Sequence, residues 1–510
     1  DEGTSLLSAA EKLGLSIPTL CYRQGLAHAT SCMVCVVEDC VSGAMRPACS
    51  TPAEEGMKIR TAGTAVVEAR RMALDLLLSD HVGDCEAPCQ RACPAGLDIP
   101  AMIRAVSSGR MAEAIRIVKE KIALPAVLGR ICSAPCEKVC RRGNRDAAVG
   151  ICLLKRFAAD TDLFEQHPYR PEVSQPGGGR VAVVGAGPAG LSTAYYLRCY
   201  GHACALFEKK GIPGGGLRSE SLLEVLPAAV VDAEIGQILE MGVDLRSGVE
   251  IGVHTPLKEL RETFDAVILT VGDVSIQDGN TLDVQIRNGR IAVDRDTYCT
   301  ADPRVFAGGG AVSAGRSAAR AVGHGREVAL RVDRMLRQQP VTGRQTPYCH
   351  HVTGRVTPEE MEEYLTGADP CARVEPQAGA AGGYTLVEAQ REAERCLHCD
   401  CRKADACRLR EYAGDYGAGQ RRCRPVQRRY IEIVRNGGIV YEPGKCIACG
   451  ICVRLCERAR EPLGLTFIGR GFDVRVGVPF GESIEKGLGR VASECVDACP
   501  TGALAFHVNR

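Results

Sequence analysis

Twenty-eight cysteines, most of them in strings with only two or three residues between neighbours, constrain this chain more than any other feature. Disulfide scaffolds are short and loop-rich, whereas these strings sit in 510 residues dense in helix and strand patterns. The thiols therefore point to metal thiolates in a reducing compartment. A single core rarely grows past about 250–300 residues, so the chain is expected to divide into about three to five domains. Formal net charge is +1 and aromatics make up 4%, with no basic stripe interleaved with aromatics, which argues against a nucleic-acid partner. There is no run of 18 apolar residues, and the start, "DEGTSLLSAAEKLG", has no basic n-region followed by an apolar stretch. The expectation is a soluble cytoplasmic protein with no membrane span.

The segment "RVAVVGAGPAG" (180–190) runs a β-branched strand into G-x-G-x-x-G and then a helix. Gly185 suits the tight turn, Gly187 the approach of a pyrophosphate and Gly190 close helix packing, with Pro188 and Ala189 opening the helix whose N-terminus meets the phosphates. A second strand, "ACALFE", ends at Glu208, 18 residues after Gly190, where an acid binds ribose hydroxyls. Together with "IPGGGL" (212–217), "DAVILTVG" (265–272) and "VFAGGGAV" followed by "AARAVGHGREVA", this resembles the FAD domain of the glutamate synthase small-subunit family, shared with the N-terminal half of dihydropyrimidine dehydrogenase. The resemblance covers roughly 80–335 and implies that Gly215, Leu217, Gly272 and Gly309 line FAD. Gly310 stands where the family usually carries Asp, so a ribityl hydrogen bond is expected to be lost or replaced by water or backbone. Only 32 residues, 273–304, separate the last two motifs. A nicotinamide-binding insert needs βαβ units of about 30 residues each, so no NAD(P)H site of the chain's own is expected.

Cys21, Cys32, Cys35 and Cys49 gather four thiolates in one short region, the close pair on a loop able to wrap a cluster. The stretch "EGTSLLSAAEKLGLSIPTLCY" resembles the 2Fe-2S domain at the N-terminus of the complex I large iron-sulfur subunit and of iron-only hydrogenases, implying one 2Fe-2S cluster here. The opening strands of that ferredoxin-like unit are missing and the first residue is Asp, so the numbering is expected to begin inside a longer chain. Cys40 falls outside the pattern and is expected to be a small buried residue.

Two strings, "CEAPCQRAC" (85–93) and "CSAPCEKVC" (132–140), follow a periodic helix that ends at His81. Their spacing resembles the glutamate synthase family, in which two three-Cys strings share two 4Fe-4S clusters. The resemblance implies one cluster on Cys85, Cys89 and Cys140, with His81 either its fourth ligand or a solvent-facing histidine at a helix C-terminus. The other would take Cys93, Cys132 and Cys136. The family's fourth ligand aligns near Lys155, which cannot ligate while protonated, and Cys152 is the substitute, with a plain core role as the alternative.

The strings "CIACGICVRLC" (446–456) and "CVDACPTGAL" (495–504) follow bacterial-ferredoxin logic and assign Cys446, Cys449, Cys452 and Cys499 to one 4Fe-4S cluster. Cys456 and Cys495 belong to a second motif whose remaining positions are Gly489 and Ala492. "RCLHCDCRKADAC" supplies Cys396, Cys399, Cys401 and Cys407, with Cys423 beyond. That block can hold its own 4Fe-4S cluster, donate to the incomplete motif with Cys456 and Cys495, or bind a structural zinc; at least one further 4Fe-4S centre is expected. In all, FAD, one 2Fe-2S cluster and three to five 4Fe-4S clusters are expected. "CHHVTG" (349–354) is taken as a polar loop.

The fold class is thus multidomain α/β plus α+β: a ferredoxin-like 2Fe-2S domain (1–62), a helical two-cluster domain (63–170), a Rossmann-type FAD domain (180–338), a connector (339–383) and a C-terminal bacterial-ferredoxin-like domain (384–510). No arrangement of catalytic acid, base or nucleophile stands out. The expected function is electron transfer within a larger oxidoreductase, with FAD a junction that can also bifurcate electrons. Expected partners are an NAD(P)H-binding flavin subunit, a catalytic formate, aldehyde, hydrogen or acyl-CoA oxidoreductase subunit, and soluble ferredoxin. The alternatives are a self-contained NAD(P)H-dependent reductase and an assembly scaffold.

Overall fold

An uninterrupted apolar strand suits a parallel sheet covered on both faces, and Val181, Ala182, Val183 and Val184 are all buried. They form the centre of a five-stranded parallel sheet in the order Val305–Ala307, Ala266–Leu269, Arg180–Val184, Ala203–Glu208, Val243–Ser247. Register places Val183 opposite Leu206 on one side and Ile268 on the other. The helices Pro188–Cys199 and Ala318–Leu336 pack together, closely because Gly325 has no side chain: a Cβ there would lie 2.3 Å from the Ala189 carbonyl oxygen. The segment 273–304 forms the short helix Ile276–Thr281, capped reciprocally by Ser275 and Asp278, and a hairpin of Ile286–Arg287 with Arg290–Ile291.

The computed structural model describes residues 3–27, 29–174, 178–313, 317–341, 349, 358–420, 423, 434–436 and 438–506. The chain forms two compact units. The first comprises residues 1–87, 345–366 and 399–509; the second comprises 88–344 and 367–398, with residue 510. These boundaries differ from those expected of the sequence.

In the first unit, the helix Thr64–Ser79 buries Val66, Leu74 and Leu78. Leu74 and Leu78 share one core with Leu20, Cys21, Val34, Leu409, Cys449 and Ile451. Arg70 of the same helix donates to the Val36 carbonyl at 3.1 Å and to the Tyr416 hydroxyl at 3.0 Å. The unit also holds two three-stranded antiparallel sheets, Met45–Pro47, Val36–Asp39, Ile59–Arg60 and Val434–Asn436, Ile439–Tyr441, Leu504–Phe506, and the antiparallel pair Thr466–Ile468 with Arg475–Gly477.

In the second unit, the helices Ile99–Ser107, Met111–Lys119, Pro125–Ile131 and Ile151–Leu163 join one core with the parallel sheet. The helix Leu386–Glu394, expected in the C-terminal domain, packs on Ile99–Ser107 here. Its Glu392 accepts from the Gly150 amide at 2.7 Å and the Val374 amide at 2.8 Å. Among the described residues no helix is long and apolar enough to cross a membrane.

Candidate iron-sulfur and flavin sites

No disulfide joins the cysteines. In the first unit, Cys446, Cys449, Cys452 and Cys499 line one pocket, with Tyr441, Ile447 and Pro500 among its walls. Local backbone makes this possible. Ala448 and Gly450 take positive φ (50° and 75°), which curls the string so that successive cysteines face inward, and the Ala448 amide donates to Cys446 Sγ at 3.4 Å. Cys452 then rides on the helix Ile451–Ala459, and Cys499 arrives from the end of Ala492–Ala498. Burial holds the Cys446 and Cys449 thiols up, to about 11 and about 12, because a buried site disfavours the thiolate. A bound iron cluster is what would offset that cost.

The N-terminal thiols are brought together as two pairs. Cys21 meets Cys32, whose hydrogen bond draws the Cys21 thiol down to about 5 while the Cys32 thiol is pushed up. Cys35 and Cys49 form the same kind of pair, and all four residues are buried. Thr30 and Met33, in the loop that carries Cys32 and Cys35, adopt positive φ of 52° and 54°. Cys40 corrects its expectation: it is exposed, in the turn after Val36–Asp39. His81 is buried, which removes the solvent-facing alternative, and its carbonyl accepts from Gln420 Nε2 at 2.6 Å.

In the second unit, the short helices Pro88–Ala92 and Pro135–Lys138 pack together and carry Cys89 and Cys136. Cys132 and Cys152 hydrogen-bond, the Cys132 thiol being drawn down to about 5. Cys93, Cys132, Cys136 and Cys152 all lie within electrostatic reach of Lys155, so the substitute ligand and the expected three thiols share one neighbourhood. Cys140 and Cys396 pack on the same core as Cys89, and Arg142 beside Cys140 donates to the Arg395 carbonyl at 3.3 Å.

The chain passes from the first unit to the second between Ala87 and Pro88, so the expected set Cys85, Cys89 and Cys140 draws on both. The block at 396–407 is divided likewise, Cys396 in the second unit and Cys399, Cys401 and Cys407 in the first. Within the first unit the Cys401 amide donates to the Cys85 carbonyl at 3.5 Å, and the Cys401 and Cys407 thiols each feel the charge of Cys85. The position of Cys85 beside these two was not legible in the spacing of either string. Cys456 and Cys495, both buried, form a hydrogen-bonded pair, with Cys495 Sγ 3.8 Å from the Cys452 carbonyl. Among the described residues no three His, Cys, Asp or Glu side chains converge on a single ion. Cys349 is half-buried and Cys423 likewise, while 350–354 of the polar-loop assignment lie outside the described residues.

The nucleotide turn fits a pyrophosphate by its steric limits. Gly185 has φ 102°, and a Cβ there would sit 2.6 Å from the Thr270 carbonyl oxygen. A Cβ on Gly190 would fall 1.9 Å from the Gly185 oxygen, whereas at Gly187 nothing stands within 4 Å, leaving room beside the helix start at Pro188 and Ala189. Gly215 approaches the Gly187 Cα to 3.0 Å from its Cβ position, and Leu217 beside it is buried. Gly272 and Gly309 take positive φ (82° and 67°). Glu208 is buried, its Oε2 accepting from the Ala186 amide and its Oε1 from the Lys210 amide, each at 2.9 Å. The acid thus braces the turn itself, with lone pairs left over for a hydroxyl. Near Gly310 sequence reasoning missed Arg290, whose Nη1 donates to the Gly310 carbonyl at 3.0 Å and to Asp273 at 2.9 Å. Its hairpin has no distinctive spacing that could have revealed it.

Three family models match the chain: a 2Fe-2S iron-sulfur cluster binding domain over residues 1–64, the dihydropyrimidine dehydrogenase domain II with its 4Fe-4S cluster over 53–167, and an NAD(P)-binding Rossmann-like domain over 183–239. The chain is similar to the NADP(+)-dependent formate dehydrogenase subunit beta of Moorella thermoacetica, at 38% identity over 36% of this chain and 29% of that protein. It is similar also to the NADPH-Fe(3+) oxidoreductase subunit beta of Geobacter sulfurreducens (40%; 36% of this chain, 28% of that one). A third relative is the NAD-dependent dihydropyrimidine dehydrogenase subunit PreT of Salmonella typhimurium (38%; 41% and 51%). The chain spans between about a quarter and a half of the length of these relatives. It is a multidomain protein that joins 2Fe-2S and 4Fe-4S domains to a Rossmann-like domain.

Proposed function

We propose that this chain is an iron-sulfur flavoprotein subunit that relays electrons within a larger oxidoreductase. The observation that carries the reading is the single cavity lined by Cys446, Cys449, Cys452 and Cys499, in one core with Cys21 and Cys32. Two one-electron carriers there would share one packed apolar core. When bound, FAD supplies exchange of electron pairs and each cluster supplies single-electron steps.

The residues divide the task. Gly185, Gly187 and Gly190 shape the phosphate turn, Glu208 braces it, and Arg290 takes the corner beside Gly310 where the related flavin domains carry an acid. Cys21, Cys32, Cys35 and Cys49 would hold the 2Fe-2S cluster. Cys446, Cys449, Cys452 and Cys499 would hold one 4Fe-4S cluster, Cys93, Cys132, Cys136 and Cys152 a second, and Cys85, Cys401 and Cys407 would contribute to a third. Partners are proposed as a nicotinamide- and flavin-binding subunit at one end and a catalytic subunit at the other. Formate oxidation fits the latter, by similarity to the formate dehydrogenase subunit beta.

The test is anaerobic absorbance of the isolated chain after reconstitution with FAD, iron and sulfide. Reduced ferredoxin should bleach flavin and cluster bands, and NADPH alone should leave them unchanged. Bleaching by NADPH alone would establish a self-contained reductase instead.

A further inference from the structure

Lys155 is a buried lysine that the relay as described so far does not use. It sits on Ile151–Leu163, one turn after Cys152, at 5% exposure. Its Nζ donates to the Leu128 carbonyl at 3.1 Å, and Cys152 Sγ faces that same oxygen at 3.6 Å and the Gly129 carbonyl at 3.8 Å. Ammonium and thiol therefore converge on one point. No carboxylate pairs with Lys155 among the described residues; the groups that act on it most are the thiols of Cys152, Cys132, Cys93 and Cys136, with the Glu137 carboxylate in the same neighbourhood. The helix start that fixes this arrangement is held by Glu137, which accepts from the Cys152 amide at 2.8 Å, and by Glu392 on Gly150. Burying an ammonium without a counter-ion is unfavourable, so its natural complement is a group of thiolates around a cluster.

We propose that Lys155 is the fixed counter-charge of a 4Fe-4S cluster held by Cys93, Cys132, Cys136 and Cys152, and that it makes this cluster easier to reduce. The inference rests on the relay reading. One electron arriving from a neighbouring carrier adds one negative charge to the cluster, no bond forms or breaks, and a buried cation stabilises the more negative state. Lys155 is a positioning residue for charge and not a ligand.

The experiment is an anaerobic redox titration of the full reconstituted chain followed by electron paramagnetic resonance. Lys155→Met should lower the electron affinity of one cluster at least tenfold, about 59 mV for a one-electron couple. Lys155→Arg, which keeps the charge, should stay near wild type. An intact cluster with an unmoved midpoint in Lys155→Met overturns the inference. Loss of that cluster in the Met variant but not in the Arg variant supports it. Its loss in both, with FAD still bound, overturns it, because shape and not charge would then be at issue. Cys132→Ser separates the two levels: if this variant keeps all its iron, the cluster assignment itself fails, whatever Lys155 does.

Discussion

Serine at Cys85 and serine at Cys401 should each strip the same iron from the reconstituted chain, and the double variant should lose no more than either alone. Iron and acid-labile sulfide counts check this; additive losses would return Cys85 to the set with Cys89 and Cys140. The expectation follows from the Cys401 amide donating to the Cys85 carbonyl within one unit. Sequence spacing picks out candidate ligands because short strings are a local property, but it does not show which strings meet. Cys152 is the instructive case. It is proposed as a substitute only by counting one helical turn back from Lys155, and the structure places it in a hydrogen bond with Cys132. Glu208 shows the converse: its position was foreseeable, while its hold on the Ala186 amide depends on how the turn closes.

Helix starts in this protein are often satisfied from far away in the chain, and one such start makes stability depend on pH. Glu234, on the helix Ala228–Glu240, accepts from the Ala126 and Val127 amides at 2.7 and 2.8 Å, capping Pro125–Ile131. Burial outweighs those bonds and lifts its carboxyl to about 7 from the ordinary 4.5. The folded state therefore binds more proton than the unfolded one between those values, and stability from this group declines as pH rises through the window. Chemical unfolding at pH 5 and pH 8 should show wild type losing ground to Glu234→Gln at the higher pH; a constant difference between the two proteins would count against it. Such caps have no sequence signature, since neither Leu124 nor Gly150, at the two helix starts, has a capping side chain. The capping box of Thr385 with Glu388 is the opposite, a local pattern that the chain itself spells out.

At the level of the molecule, the first unit is assembled from both ends of the described chain around Leu20, Leu74, Leu78, Leu409 and Ile451. Truncating Leu74 to Ala should cost about 2–5 kcal/mol, as for other large-to-small core changes. Residues 1–87 produced alone should melt at a lower temperature than when co-produced with 399–509; equal melting would show the N-terminal part to be self-sufficient. The βαβ sheet was readable because its periodicity and Gly-rich turn are contiguous, whereas pairing of distant segments leaves no periodic trace. This division also imposes a timetable on synthesis. At about 5–20 residues per second, roughly 15–60 s separate emergence of residue 87 from that of residue 399. Throughout that delay the nascent helix Thr64–Ser79 lacks the Leu409 and Ile451 side chains that cover Leu74 and Leu78 in the folded unit.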